Sequence, residues 1–364
     1  MRAPSFLSFE SFPSFEGQKG LEGQKGRGPP PVQFSTRMKI TTLLSLALSL
    51  SFASHAALTV EKTPSGGAVV KADGQPFAEY IVDQANKPYL APVFGPTGKQ
   101  MTRNYPMITV DGEQHDHPHH RGICFGSEGI NGWESWSEKA TYGDNPKSAE
   151  RLAKLGSEKH REFKKLEASG DTATLVSIID YLDPAGKKYL EEERTMIFRS
   201  GEGTRSIDVN QTFTATEGPV NFEDKKDAGL SIRVPTEMAV EIEKNKKGTG
   251  HIINSEGQTD VDAWGKRAKW CDYHGTLGGE ALGVAMLNHP SSFRFPTPWH
   301  VRTYGLFTAN AFGTKSLDKT AEDGAFDVKQ GGHLLLRHRF IFHKGDEKAG
   351  KIAEAYEAYA KETR

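Results

Sequence analysis

The sequence predicts an all-β protein, a large antiparallel β-sandwich with one helix at its C-terminus. Three observations predict this class: runs that alternate apolar and polar residues, Gly-rich or Asp-Gly turns between those runs, and no alternating strand–helix rhythm. The 364 residues include 38 glycines and 19 prolines, enough turn residues to separate many short strands. A sandwich follows because such strands bury one face, and a second sheet must cover that face.

The clearest strand patterns lie between residues 173 and 215 and near the C-terminus. Ala173–Leu182, Arg194–Arg199 and Arg205–Ala215 are rich in β-branched and aromatic residues, with turn residues between them. Residues 333–343 read HLLLRHRFIFH, in which alternate positions are apolar, the period of a half-buried strand. The one helix is predicted at about Asp346 to Glu362, where apolar residues recur on one stripe.

The first 56 residues are predicted to lie outside this domain. Residues 1–37 hold two GQKG repeats and a proline run, low-complexity sequence that indicates a misassigned upstream extension or, alternatively, a disordered tail. Residues 38–56 combine a polar start, a short apolar run and an A-x-A-like end, the pattern of a cleaved signal peptide. We therefore expect a periplasmic or secreted protein with a single sandwich domain over residues 57–364.

Composition excludes two classes of partner. The net charge of −1 does not indicate a basic surface for nucleic acid. The sequence has no second long apolar run, so no membrane span is expected after signal cleavage. Only Cys124 and Cys271 are present, so a disulfide-dependent scaffold is not expected, and sequence alone leaves their pairing open. A small molecule or an oligosaccharide remains as the expected binding partner.

The most informative segment reads HDHPHHR at residues 115–121, where four of the thirteen histidines lie within six positions. Imidazoles titrate near neutral pH and bind metals, so this segment is a candidate for acid–base chemistry or for a divalent metal site. In a regular strand His117 and His119 would share one face and His120 the other, but Pro118 breaks that regularity. Which imidazoles converge is therefore left open.

A second candidate segment is NHPSSFRFPTPWHVRTY at residues 288–304, in which three prolines stiffen the backbone. His300, Arg302 and Tyr304 would share one face if the chain after Pro298 is extended. A third, weaker segment is WCDYHG at residues 270–275. All five tryptophans lie in or near these three segments, and their flat rings suit the faces of sugars.

On these segments the sequence resembles a bacterial family labelled PmoA-like, or "methane oxygenase PmoA". The matching stretches are RNYPM (Arg103–Met107), DHPHHRG (Asp116–Gly122), GWESWSE (Gly132–Glu138), WCDYHG (Trp270–Gly275) and NHPSSFRFPTPWHVRTYGLF (Asn288–Phe307). The resemblance implies an exported β-sandwich similar to the galactose-mutarotase-like supersandwich. It does not imply the membrane-bound oxygenase activity of the label, because this chain has only a cleavable signal.

The leading hypothesis is a carbohydrate-active enzyme, a lyase, hydrolase or epimerase. His117 or His120 would be the acid or base, Arg121 and Arg302 would stabilise negative charge, and His300 or Tyr304 would transfer the second proton. Glu134 or Glu138 is the candidate carboxylate. The residues expected to bind substrate are Trp133, Trp136, Trp299, Asp272 and His289.

Two alternatives stay open at this stage. A metal-dependent enzyme would take its ligands from His117, His119, His120 and His300. A non-catalytic sugar-binding protein would use the tryptophans alone.

Overall fold

The strands of the predicted sandwich are present in a computed structural model, which describes residues 57–143 and 146–363, together with Gly28. The predicted extension (1–37) and signal peptide (38–56) lie outside the described residues, apart from Gly28. In chain order the strands are β1 (Leu58–Lys62), β2 (Ala68–Ala72), β3 (Gln75–Ile81), β4 (Tyr89–Val93), β5 (Ile123–Ser127), β6 (Ser157–Ser169), β7 (Thr172–Leu182), β8 (Lys188–Gly201), β9 (Thr204–Thr214), β10 (Val220–Phe222), β11 (Ala228–Arg233), β12 (Glu241–Glu243), β13 (Lys246–Lys247), β14 (His251–Asn254), β15 (Trp270–Leu277), β16 (Glu280–Asn288), β17 (Trp299–Val301), β18 (Leu306–Ala309), β19 (Phe326–Val328) and β20 (His333–Lys344).

Helices are short and few in the described part of the chain. The α-helices are α1 (Lys139–Tyr142), α2 (Ala149–Leu152) and α3 (Ile352–Tyr359), and the 3₁₀ turns are Pro146–Ser148, Thr236–Met238 and Asp260–Ala263. The predicted C-terminal helix was too long at both ends. Lys351 takes a left-handed conformation at its start, so the residues after β20 form turns instead of a first helical turn. No helix among the described residues is long and apolar enough to cross a membrane.

Two eight-stranded sheets form the sandwich, which confirms the predicted class. The first sheet has the order β1-β2-β3-β4-β5-β11-β18-β17, and the second has the order β14-β15-β16-β20-β9-β8-β7-β6. Neighbouring strands are antiparallel throughout both sheets. The three strands predicted between residues 173 and 215 and the alternating C-terminal strand are β7, β8, β9 and β20, all in the second sheet.

The main core lies between the two sheets and takes alternate residues from each strand. In β20 the predicted inner face is confirmed, because Leu334, Leu336, Phe340 and Phe342 are all buried in this core. The same alternation assigns outer faces. Cys124 of β5 lies outside the main core in a smaller cluster, whereas Cys271 of β15 belongs to it. Both thiols are buried and free, so the structure shows no disulfide between them.

Candidate functional site

The candidate site lies at one end of the first sheet, where three segments of the chain meet. Ile123 at the start of β5 pairs with Ile232 near the end of β11, and Arg233 pairs with Leu306 at the start of β18. Neighbouring strands are antiparallel, so the start of one strand lies beside the end of the next. Three segments therefore meet at this end of the sheet: the residues before β5, the end of β11 and the loop between β17 and β18. The sheet therefore brings the histidine segment next to residues 302–305.

At the centre of the site Asp116 holds the ring of His117. Asp116 Oδ2 accepts a hydrogen bond from His117 Nδ1, and a carboxylate can only accept, so the proton is on Nδ1 and Nε2 is left free. Pro118 follows a His117 residue whose φ is +44°, a left-handed conformation that turns the chain here. His117 keeps 43% of its side chain exposed, so Nε2 belongs to a ring that a ligand can reach.

Two buried arginines hold Asp116 in its ionised form. Asp116 Oδ1 lies 2.6 Å from Arg103 Nη1 and 2.8 Å from Arg233 Nη2, and both guanidinium groups are almost completely buried. Burial acts to raise the pKa of Asp116, but the hydrogen bond with His117 and the charges of the two arginines outweigh it and bring the pKa well below its usual range. An ionised Asp116 fixes the tautomer of His117 and can stabilise its protonated form.

Arg233 also fixes the protonation of His120. Its Nη1 donates to His120 Nδ1 at 3.0 Å, and since a guanidinium has no acceptor, the proton of His120 must be on Nε2. Burial, followed by the neighbouring His119 and the charge of Arg233, brings the pKa of His120 well below its usual value. His120 is therefore a neutral hydrogen-bond donor near pH 7, and of the two rings it is His117 that is exposed to a ligand.

His119 is buried on the other side of this group. Its Nδ1 lies 3.0 Å from the hydroxyl of Thr141 in α1, and its ring packs edge-on against His120 at 4.4 Å between centroids. Burial, and then the charge of Lys87, lowers the pKa of His119 to about 2. His119 is thus neutral at any ordinary pH.

Aromatic rings form the wall of the site. The ring of Tyr304 is almost parallel to that of His117, with 5.2 Å between centroids, and the guanidinium groups of Arg233 and Arg302 lie 4.7 and 5.5 Å from the Tyr304 centroid. Trp136 packs edge-on against His120 at 5.8 Å. Burial raises the pKa of Tyr304, although the two arginines oppose this, so its hydroxyl stays protonated.

The carboxylates expected to react are engaged in ion pairs. Glu138 accepts both arms of the Arg121 guanidinium, at 2.7 and 2.9 Å, so each charge compensates the other. Glu134 accepts from the Tyr142 hydroxyl at 2.7 Å and from Arg151 at 3.1 Å. Both pairs anchor the segment that covers the outer face of the first sheet. This geometry therefore does not favour the catalytic roles expected for Arg121 and Glu134.

His300 does not join the histidine segment. It is buried in β17, with Nδ1 at 3.4 Å from Asp227 Oδ1 and its ring edge-on to Trp264. Burial, and then the charge of Arg302, lowers the pKa of His300 to about 3. Among the described contacts the loop reaches the histidines through Tyr304, so His300 is not the second proton-transfer group that the sequence suggested.

Three of the five expected substrate contacts are elsewhere in the fold. Trp299 is completely buried in the main core, and its indole N–H donates to the Ala268 carbonyl. His289 packs edge-on against Tyr359 of α3, with Nε2 at 3.1 Å from the Glu362 carbonyl. Asp272 belongs to the second sheet. Trp136 does border the site, and Trp133 is half-buried beside Ile130.

The histidine segment is also a poor metal site. The Nδ1 atoms of His117 and His120 already have partners, and the guanidinium groups of Arg103 and Arg233 would repel a cation. In the described residues, the group that brings three potential ligand atoms within 4.8 Å of one another is Asp272, His274 and Glu347. The expected ligand set of His117, His119, His120 and His300 is therefore not formed.

Sequence reasoning missed the residues that organise the site, namely Asp116, Arg103 and Arg233. Asp116 is part of the quoted histidine segment, and its position next to His117 was the available signal. Arg233 ends the apolar strand AGLSIR, and a lone cation in such a strand is rarely buried without a partner. Arg103 offers no such signal, because its contact with Asp116 depends on the fold.

Comparison with known proteins gives a family but no activity. No curated protein matches the chain. Among solved structures it resembles the galactosidase domain of the α-galactosidase–sucrose kinase AgaSK (8% identity over 79% of this chain and 42% of that one, TM-score 0.41). It also resembles the GH36 α-galactosidase AgaB from Geobacillus stearothermophilus (8% identity over 80% of this chain and 42% of that one, TM-score 0.42). A third similar structure is a galactose mutarotase related enzyme from Lactobacillus acidophilus (8% identity over 80% of this chain and 98% of that one, TM-score 0.32).

These TM-scores are low, and nothing about activity follows from them; the chain spans only 42% of the length of each galactosidase. The family expected from the sequence, PmoA-like, was wrong. The family model that matches is a different one, which covers residues 67–357. That span includes both sheets apart from β1 and takes in the whole histidine segment. The chain belongs to DUF6807, a family of unknown function.

Proposed function

We propose that this protein is a carbohydrate-active enzyme that moves protons with His117. The observation that carries the proposal is the pair formed by His117 and Asp116, in a half-exposed position where His117 stacks on the ring of Tyr304, whose hydroxyl stays protonated. A base with an oriented free nitrogen and an acid on the adjacent wall is the minimum equipment for proton transfer.

Each residue has a role in such a step. His117 Nε2 accepts a proton from the substrate, and the ionised Asp116 stabilises the imidazolium that forms. Arg103 and Arg233 keep Asp116 ionised throughout, since both donate to its Oδ1. The Tyr304 hydroxyl donates a proton or a hydrogen bond to the oxygen where negative charge develops.

Aromatic rings beside His117 suit a sugar as the substrate, because a ring face can pack against the C–H face of a sugar. Tyr304 is half-buried and stacks on His117, so it can border one side of a sugar ring. His120 and Trp136 are buried, with His120 stacked on His117, and they support this wall from behind. Arg302 is exposed next to Tyr304, and its uncompensated charge favours an acidic sugar over a neutral one.

Among the reaction classes open to such a site, proton abstraction as in an epimerase or a lyase is the better fit. A glycoside hydrolase commonly uses two carboxyl groups that face the scissile bond. Here Glu134 is bonded to Tyr142 and Arg151, and Glu138 is bonded to Arg121. The imidazole, and not a carboxylate pair, is the reactive group that remains available.

Exchange of substrate hydrogens with solvent deuterium tests this proposal. The purified protein is incubated in deuterated buffer with a panel of aldoses, ketosugars, uronic acids and oligouronides. Proton NMR then records hydrogen exchange, epimers and the unsaturated products of elimination. We expect turnover of at least one compound, reduced roughly 10²–10⁴-fold in His117→Gln, the usual contribution of a general base.

His115→Gln is the matched control, because His115 is an exposed histidine of the same segment that stacks on Tyr105. It should keep wild-type turnover. Equal turnover in His117→Gln, or no exchange with any sugar, would overturn the proposal. Sugar binding without exchange, detected by calorimetry and unchanged in His117→Gln, would instead support the non-catalytic binding role.

We also propose that the protein is exported, with residues 38–56 as the signal peptide. The support is the polar start, the apolar run and the A-x-A-like end of that segment. Expression in a Gram-negative host, followed by fractionation and N-terminal sequencing, should give periplasmic protein that starts near Ala57. A cytoplasmic product with an uncleaved N-terminus would contradict export.

A further inference from the structure

A second group of reactive side chains lies on the outer face of the second sheet. Cys271 and Tyr273 of β15 are part of the main core, so Asp272 and His274, which alternate with them, lie on the opposite face. Glu347 reaches this face from the turn between β20 and α3. Each of the three residues has one potential ligand atom, and these atoms lie within 4.8 Å of one another.

Without an ion the group is held by a hydrogen bond between His274 Nδ1 and Asp272 Oδ1, and a bound ion would replace the proton on Nδ1. His274 Nδ1 is 2.7 Å from Asp272 Oδ1 and 4.0 Å from Glu347 Oε2. Two ligand atoms that each lie about 2.1 Å from a tetrahedral zinc ion are about 3.4 Å apart. The two observed distances lie on either side of this value, so an ion needs only small side-chain movements to fit.

The carboxylate of Asp272 is oriented from behind by a second histidine. Asp272 is completely buried, and its Oδ2 lies 2.7 Å from Nε2 of His343, which is also completely buried in β20. Hydrogen bonds to the far side of a ligating carboxylate are typical of metal sites, where such partners fix the direction of the ligand. This contact leaves Oδ1 as the oxygen that faces His274.

Glycine at position 283 makes this arrangement possible. In the sheet register Gly283 of β16 lies between His274 on one side and His343 on the other. A Cβ atom at this position would be 2.3 Å from His343 Cε1 and 2.9 Å from His274 Cβ, closer than any side chain tolerates. The chain thus has no side chain where the two histidines converge on Asp272, which indicates that the convergence is a built feature.

The surroundings favour a cation. Asp272 and Glu347 bring two carboxylates, and Asp346 borders an open pocket in front of His274. His251 is the register partner of His274 across β14 and β15; its ring lies 5.8 Å away, and the side chain is 68% exposed. A change of side-chain rotamer would make it a fourth ligand.

We propose that Asp272, His274 and Glu347 bind a divalent transition-metal ion, for which zinc is the expected occupant, with His251 as an additional ligand. Imidazole and carboxylate donors suit zinc, whereas calcium and magnesium prefer oxygen ligands alone. The ion connects β15 to the turn that precedes α3. This site is separate from His117 and does not depend on the function proposed there.

Zinc binding to the tag-free protein tests the site. The protein is stripped with EDTA and dialysed, zinc chloride is titrated by calorimetry, and bound metal is measured by mass spectrometry after desalting. We expect one zinc per chain and a higher melting temperature with zinc. Glu347→Gln should abolish stoichiometric binding, and His343→Gln should weaken it roughly 10–100-fold, the usual effect of a residue that orients a ligand.

Glu354→Gln is the matched control, because it removes an exposed carboxylate of α3 that takes no part in the group. It should bind zinc as the wild type does. Glu347 lies in a surface turn, so its variant is expected to fold, and circular dichroism checks this. Wild-type zinc binding in a folded Glu347→Gln protein, or no zinc bound by the wild type, would overturn the proposal. Displacement of zinc by millimolar magnesium or calcium would overturn the assignment of a transition metal.

Discussion

The end of the first sheet and the outer face of the second sheet carry the same pair of residues in opposite surroundings. In the segment before β5 Asp116 hydrogen-bonds to His117, and in β15 Asp272 hydrogen-bonds to His274. Two buried guanidinium groups flank the first pair, whereas a further carboxylate and the imidazole of His343 flank the second. The comparison teaches that a histidine–aspartate pair has no function of its own, because the neighbouring charges decide whether a proton or a metal ion is favoured.

The signs of these charges give the physical reason. Near His117 two arginines face one aspartate, so the local charge before any protonation is positive and a dication would be repelled. Near His274 two carboxylates face no arginine among the described ion pairs of that group, so a dication is attracted. Variants that change one side only should therefore leave the other side intact.

The largest effect is expected from Arg233→Met. This variant removes a buried cation that donates to Asp116, His120 and Gln114. It leaves the acceptor atoms of His120 and Gln114 unpaired, while Asp116 keeps Arg103 as a donor. A buried acceptor left without its donor costs about 1–3 kcal/mol, so the free energy of unfolding should fall by about 3 kcal/mol. Urea denaturation of wild type and variant, followed by circular dichroism, measures it.

Arg302→Met is the control for this experiment, because Arg302 also lies over the ring of Tyr304 but is exposed. It should change the free energy of unfolding by no more than about 0.5 kcal/mol, as surface substitutions do. Equal losses in the two variants would mean that the buried ion pairs do not hold the first site together. Zinc binding at the second site should be the same in the folded fraction of both.

A smaller effect, which depends on pH, is expected from His119→Gln. Burial lowers the pKa of His119 in the folded protein to about 2, whereas the pKa of an exposed histidine is 6.5. Between these values the unfolded chain binds the extra proton, so stability is fully present above pH 6.5 and is lost as the pH falls below it. The wild type should lose up to about 1.4 kcal/mol per pH unit through this one group, and the variant should not.

Urea denaturation at pH 7, 6 and 5 gives the slopes for this test. Thr141→Val is the control, because it removes the hydrogen-bond partner of Nδ1 but keeps the imidazole, and it should keep the wild-type slope. The same slope in wild type and His119→Gln would show that His119 is protonated in the folded state, in conflict with the arginine-rich character of the first site.

Much of the fold could be predicted from the sequence. Alternation of apolar and polar residues located β7, β9 and β20 nearly to their ends, because each buries one face against the same core. The helix at the C-terminus was predicted too long, since the residues after β20 carry a helical pattern but form turns. Local pattern does not reveal that Lys351 adopts a left-handed conformation.

The site could be predicted only in part. Clustering located His117 and the loop that carries Tyr304, but sheet register decides which residues meet across the edge. Trp299 and His300 are neighbours of Tyr304 in sequence, yet β17 directs the first into the core and the second toward Asp227. Arg233 is 117 residues from Asp116 and reaches it because β11 pairs with β5. Contacts at such separations have no signal in a single sequence.

The smallest effect, and the one that sharpens the contrast in charge, is expected from Arg302→Gln. Arg302 is the exposed cation of the first site, so it should attract an acidic sugar at long range and hardly affect a neutral one. An exposed charge contributes at most about 1 kcal/mol, which is roughly fivefold in KM. The KM for a uronic acid substrate should therefore rise by about that factor at low salt, with kcat unchanged. The neutral counterpart serves as the internal control. A KM that rises equally for both sugars would show that Arg302 acts through packing on Tyr304. In that case the positive charge of the first site would come from the buried Arg103 and Arg233 alone.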